Sequence, residues 1–250
     1  MLIIGTSGWT YGNWAHSFFA GVPRNQWIQH YSRIFNGVEV NSTFYHAVRA
    51  STFESWARQT HPQFHFALKG SRLVTHVRRL RDVRDVLLDL KERAKPLGPK
   101  LSAVVWQLPR SFQQDLERLA SFVGDLASWP EARHVIEFRH PSWFTPQTAH
   151  LLTQALVANC ISDAADWPMW PAVTADLVYV RLHGHERTYR SPYTEEELRS
   201  WADRLRAWLE HAHSVQVFFD NTDEGHAPAN ALRLAELMQN EPRNCEHLPR

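Results

Sequence analysis

Cysteine is nearly missing: the 250 residues contain only Cys160 and Cys245. A disulfide framework is therefore not expected, and a reducing, cytoplasmic setting fits. No apolar run is long enough to span a bilayer, so no membrane is expected. The opening Met1-Leu2-Ile3-Ile4-Gly5 lacks the basic and long apolar stretches of a signal peptide. Charge of one sign is not in surplus either, with 27 Lys plus Arg against 26 Asp plus Glu. That balance gives no global pull toward nucleic acid. There is also no Gly-rich phosphate motif, no short-period repeat and no low-complexity linker.

Short apolar runs alternate with helical patterns from end to end. The runs predict strands over 2–5, 37–41, 64–69, 101–107, 134–139, 157–163, 177–183 and 215–220. Several are continuously apolar, as strands covered on both faces are. Ser51 with Glu54, and Thr194 with Glu197, have capping-box spacing, and Thr145-Pro146 reads as a cap and first helical residue. Leu80, Val83, Leu87, Leu90 and Ala94 form one apolar stripe, and Leu198, Trp201, Leu205 and Trp208 another. Pro168 and Pro171 make the sixth helix short or irregular. Eight strand–helix units in this length favour a closed (β/α)8 barrel over an open doubly wound sheet. One domain is expected over residues 1–240, with 241–250 as a polar tail.

Polar side chains gather where the apolar runs stop. Strand two offers Glu39 and Asn41, strand three Lys69 and strand four Gln107. Strand five offers Glu137 and Arg139, and strand six Asp163. Strand seven offers Arg181 and His183, and strand eight Asp220 with Asn221. Both fold alternatives place ligands at the carboxyl ends of strands, so these residues form the candidate site. Each pair alone reads equally well as an internal ion pair. As a set at one end of the strands they point to a ligand. Trp9, Tyr45 and Trp143 are candidate walls. His183-Gly184-His185 has the spacing of some metal pairs, a weak signal alone. Arg72, Arg78, Arg79, Arg81 and Arg84 interleave with Asp82, Asp85, Asp89 and Glu92, which describes a solvated helix face. Gly225-His226-Ala227-Pro228, before the last helix, offers backbone N–H groups to an anion. Cys160 reads as core.

An ordered series of motifs resembles the YecE-like family, domain of unknown function seventy-two. Its pieces are Gly5-Thr6-Ser7-Gly8-Trp9, Val38-Glu39-Val40-Asn41-Ser42-Thr43-Phe44-Tyr45, Phe66-Ala67-Leu68-Lys69 and Gln107-Leu108-Pro109. Glu137-Phe138-Arg139-His140-Pro141-Ser142-Trp143, Tyr179-Val180-Arg181-Leu182-His183-Gly184 with Tyr189 and Tyr193, and Phe219-Asp220-Asn221-Thr222 follow. Arg110 and residues 16–22 depart from the usual pattern, both in loops. The resemblance implies a (β/α)8 barrel and carries no reaction with it.

Three functions compete. The first is a metal-independent enzyme on a small anionic or polyhydroxylated metabolite, needing no cofactor. Glu137, Asp163, His183 and Lys69 would be catalytic, with Glu137 or Asp163 as base, and Lys69, Arg139, Arg181 and His183 would hold the anion. Arg181 and Lys69 are its expected principal contacts. The second is a metal-dependent barrel, sugar-isomerase-like or endonuclease-like, with Glu137, Asp163, His183 and Asp220 as ligands. Lys69, Arg139 and Arg181 already offset those acids. The third is a binding protein without chemistry. The residues leave the oligomeric state open.

Overall fold

Each of the eight apolar runs becomes a strand. The computed structural model describes residues 1–240, and its strands are β1 (Leu2–Thr6), β2 (Gly37–Val40), β3 (His65–Lys69), β4 (Leu101–Gln107), β5 (His134–Glu137), β6 (Ala158–Asp163), β7 (Leu177–Leu182) and β8 (Ser214–Phe219). They pair in parallel in the order β1-β8-β7-β6-β5-β4-β3-β2, giving a nearly closed barrel of the TIM type. Arg139, His183 and Asp220, expected inside strands, lie just beyond the strand ends.

Helices α1 (Trp27–Ile34), α2 (Ser42–Tyr45), α3 (Ala50–Gln59), α4 (Arg84–Ala94), α5 (Leu116–Leu126), α6 (Pro146–Gln154), α7 (Glu195–Leu209) and α8 (Ala227–Asn240) fill the connections. Among the described residues, Ala164–Asp176 holds no helix. The Thr194–Glu197 capping box forms at α7, and Thr145 caps α6 through the Thr148 N–H with Pro146 in the first turn. The Ser51–Glu54 box does not form. Helix α3 starts two residues earlier than that box requires, with Arg49 at its cap position, and Glu54 pairs with Arg58 instead. Both apolar stripes turn inward, although Leu80 and Val83 precede α4 and Trp208 is only half-buried. The basic run is not one helix face: Arg78, Arg79 and Arg81 lie in turns and bends before α4 and only Arg84 is on it, while Arg78 meets Asp85 at 2.6 Å on the surface. Residues 241–250, with Cys245, lie outside the described residues.

The weak place in the ring is the seam between β1 and β2, where one backbone bridge, Ser7 to Glu39, is formed. A parallel strand turns every second N–H toward one neighbour. On β1 those are Ile4, Thr6 and Gly8. Ile4 N–H donates to Asn36 Oδ1 at 3.0 Å, Thr6 N–H to the Tyr31 hydroxyl at 2.8 Å, and Gly8 N–H to Glu39 O at 2.7 Å. Asn36 returns a bond to Leu2 O, and Tyr31 donates to Gly37 O. Side chains replace two rungs of the missing ladder. The backbones also approach closely: a Cβ on Gly5 would stand 2.0 Å from Gly37 O, so glycine is required there.

Inside the ring lies an apolar plug of Ile3, Ala67, Ala103, Val105, Val135, Cys160, Tyr179, Phe218 and neighbours. A larger core fills the space between barrel and helices. Below the plug, at the amino ends of the strands, Ser102 reaches Gln216 across the barrel at 3.0 Å, with His65 and Ser214 nearby in the same inward register. Above it lies the candidate site.

Candidate functional site

Side chains two apart on a strand share a face. The plug residues therefore fix what enters the mouth. Ala67 aims Lys69 inward, Val105 aims Gln107, and Val135 aims Glu137 and then Arg139. Tyr179 aims Arg181 and then His183, and Phe218 aims Asp220.

Arg181 is the hub. It is fully buried and binds three acids: Glu39 at 2.7 Å, Glu137 at 2.6 Å and Asp220 at 2.9 Å. Ser7 and Tyr179 hydroxyls add bonds of 2.8 and 2.7 Å to Glu39. His183, also fully buried, places Nδ1 2.9 Å from Asp220 and Nε2 3.5 Å from Glu137. Burial pushes the Glu137 carboxyl up, but Arg139 and Arg181 outweigh it and hold the group well below the usual carboxylate range. Asp220 is likewise lifted by burial and brought down to about 2 by Arg181 and His183. These acids remain ionised, and they are weak bases.

Two cations are left less than satisfied. Arg139 donates through Nε to Glu137 at 2.6 Å and through Nη1 to the Tyr189 hydroxyl at 3.0 Å. Its guanidinium lies 4.1 Å above the Trp167 ring. Its Nη2 is buried with no hydrogen-bond partner among the described residues. Lys69 Nζ rests 4.3 Å over the Phe44 ring. Among the described residues it has neither a hydrogen bond nor an ion pair. Burial, helped by Arg181 and Arg139, brings its amine down to about 8. Half-buried His76, edge-on to Phe44, is brought to about 4 by burial and by Lys69, Arg139, Arg72 and Arg79.

Most of the expected residues converge here, and several do not serve as expected. Asp163 is displaced. Cys160 faces the plug, so Ser162 points inward and Asp163 outward, where it binds His185 at 3.1 Å and the Tyr193 hydroxyl at 2.9 Å. It is thus engaged outside the Arg181 cluster, and His185 pairs with it. Arg181 is not an anion contact, because its donors are saturated by acids. Glu137 has both oxygens engaged and no exposure, which removes it as a base. Glu39 is equally enclosed. Trp143 is fully buried against Phe112 and Phe138, and Trp9 packs edge-on to Trp56; neither walls the mouth. Tyr45 is 61% exposed beyond Phe44. Asn221 braces Ser191 and Asn230. Asn41 donates to Ser7 O, and Gln107 to Leu108 O. At the last helix, the Gly225 N–H already donates to Thr222 O. The metal reading loses its ligands: Glu137 and Asp220 grip Arg181, and Asp163 faces away. Among the described residues no group of three His, Cys, Asp or Glu is placed to hold a metal ion.

Sequence reasoning did not single out Ser162, Trp167, Tyr189 or His76 as site residues. The parity of Cys160 would have found Ser162. Tyr189 and His76 follow strand ends by several residues, and no spacing announces them. Trp167 lies in the helix-less loop after β6. Tyr189, Arg79 and Leu80 all hold left-handed backbone angles at the rim, a conformation uncommon for such residues.

A family model described as "Protein of unknown function DUF72" matches residues 3–250. The chain is 30% identical over 145 residues to the UPF0759 protein YecE of Escherichia coli (strain K12), covering 58% of this chain and 50% of that one. The match thus spans about half the length of that relative. It is 25% identical over 269 residues to the UPF0759 protein YunF of Bacillus subtilis (strain 168), covering 95% of each. The crystal structure of a DUF72 family protein from Thermotoga maritima superposes with a TM-score of 0.86 at 27% identity, covering 96% of this chain and 99% of that one. No helix among the described residues is long and apolar enough to cross a membrane.

Proposed function

The chain belongs to the DUF72 family, and on that premise we propose that its barrel mouth binds a small anionic metabolite and carries out metal-independent proton-transfer chemistry on it. The observation that carries this reading is the pair of unsatisfied cations, Arg139 through Nη2 and Lys69 through Nζ, facing one mouth. A buried guanidinium N–H without an acceptor is costly. A carboxylate or phosphate oxygen is the acceptor that a planar cationic fork suits best. For acid–base work Glu137 and Asp163 are unsuited, since both carboxylates are engaged by protein partners. Lys69, with its amine near neutrality, is the suitable one.

Calorimetric titration with inorganic phosphate, sulfate and simple carboxylates tests the binding. Arg139→Gln is expected to weaken the preferred anion by about tenfold or more, the scale of a lost charge-assisted bond. His76 should titrate at higher pH in the bound state, because the anion offsets the cations around it. Heat-silent titrations with all three anion classes, and an unmoved His76, would sink the proposal.

A further inference from the structure

Lysine is scarce in this chain. It occurs four times, at positions 69, 91, 95 and 100, among 27 basic residues. Three of the four are ordinary. Lys91 pairs with Glu131 and Lys95 with Glu92, while Lys100 donates to the Ala57 and Thr60 carbonyls. The fourth, Lys69, ends β3 inside the mouth, on an aromatic ring and without an acid of its own. Arginine would hold an anion as well or better there. What lysine offers and arginine does not is an amine that can lose its proton and use the lone pair.

Resting on the anion-binding reading above, we infer that Lys69 is a carbonyl-reacting amine. Its Nζ forms an imine with an aldehyde or ketone whose anionic group is held by Arg139.

The neutral amine attacks the carbonyl carbon, and the C–O π pair moves to oxygen. Two proton transfers then release that oxygen as water, and the C=O bond is replaced by C=N. Protonation of the imine nitrogen gives an iminium that withdraws electrons from the neighbouring carbon. No oxidant or reductant is needed. The surroundings favour the sequence. Phe44 and the barrel wall leave the amine poorly solvated, and this burial, with Arg181 and Arg139, outweighs the pull of Asp220 and Glu137 toward the charged form. With its amine at about 8, Lys69 has a neutral fraction at pH 7 on the order of several hundredfold larger than an unperturbed lysine.

The probe is glyoxylate, which joins an aldehyde to a carboxylate, with sodium cyanoborohydride to reduce the imine to a stable amine. Peptide mass mapping then follows all four lysines in the wild-type protein. Lys69 should be modified at least about tenfold faster than Lys91 or Lys95 at pH 7, given that larger neutral fraction. Its rate should level off near pH 8, and saturating inorganic phosphate should slow it. Lys69→Met should lose the fast event while keeping the wild-type unfolding profile or a more stable one. Modification of Lys69 no faster than the surface lysines overturns the inference. Phosphate binding that depends on Arg139, without fast labelling, would leave the anion site standing and remove the imine. Fast labelling without phosphate binding or protection would do the reverse.

Discussion

At the floor of the barrel the polar side chains are neutral, and at the mouth they are ions. Ser214 Oγ, Gln216 Nε2 and His65 Nδ1 are buried without partners among the described residues. Each costs about 1–3 kcal/mol, the usual figure for a neutral orphan. At the mouth Arg181 is matched by three acids, and beside Asn41 Oδ1, Asn221 Oδ1 and His183 Nδ1, which lack a hydrogen bond among the described residues, stand two cations short of partners, Lys69 and one nitrogen of Arg139. The floor is a set of small tolerated defects. The mouth adds cations to defects of that kind, and a cation is what an anionic ligand can recognise.

The mouth is most sensitive at its hub. Arg181→Met leaves Glu39, Glu137 and Asp220 buried with their main counter-charge gone. We expect a loss of about 3–5 kcal/mol in denaturant unfolding, the range for stripping one partner from a buried pair. Acid probes the same hub. Glu137 and Asp220 are depressed below 4.5 and 3.8, so their stabilisation is complete above those values and is lost as pH falls toward 2. Asp220 alone should account for about 2 kcal/mol, measured as stability against pH. Lys69 has the opposite sign. Its amine at about 8 lies below its ordinary 10.5, so the unfolded chain binds more protons across that window. Stability should rise between pH 8 and 10.5. Lys69→Met should gain about 2 kcal/mol at pH 7 and flatten that rise. A variant less stable than wild type would show that the amine has a partner in solution. The smallest effect belongs to the floor. Gln216→Met removes an orphan along with the Ser102 contact and should shift stability by less than about 1 kcal/mol; a larger loss would mean the floor is as organised as the mouth.

The strands were legible because each is a run of apolar residues, and the mouth was legible because polar residues follow such runs. The parity of a strand was harder to read. In β6 both Ser162 and Asp163 are polar, and it is the uncharged Ser162 that shares the inward face with Cys160. Pairing was hidden altogether. Nothing in the spacing says that Arg181 takes three acids from β2, β5 and β8 while Lys69 takes none, because those contacts cross the barrel between residues far apart in the chain. Trp167 and Tyr189 come from loops, where no period applies. The capping box at Ser51 failed for a local reason: the helix started at Ala50, which put Ser51 inside the first turn.

The seam between β1 and β2 makes closure of this barrel a heritable detail. Ladders between the other strands are made of peptide groups, which every residue except proline carries, so they pass unchanged through almost any codon substitution. The seam is written partly in Asn36 and Tyr31. Mutation can therefore edit how tightly the ring shuts, one position at a time, on the flank where Ser7 and Glu39 meet the mouth.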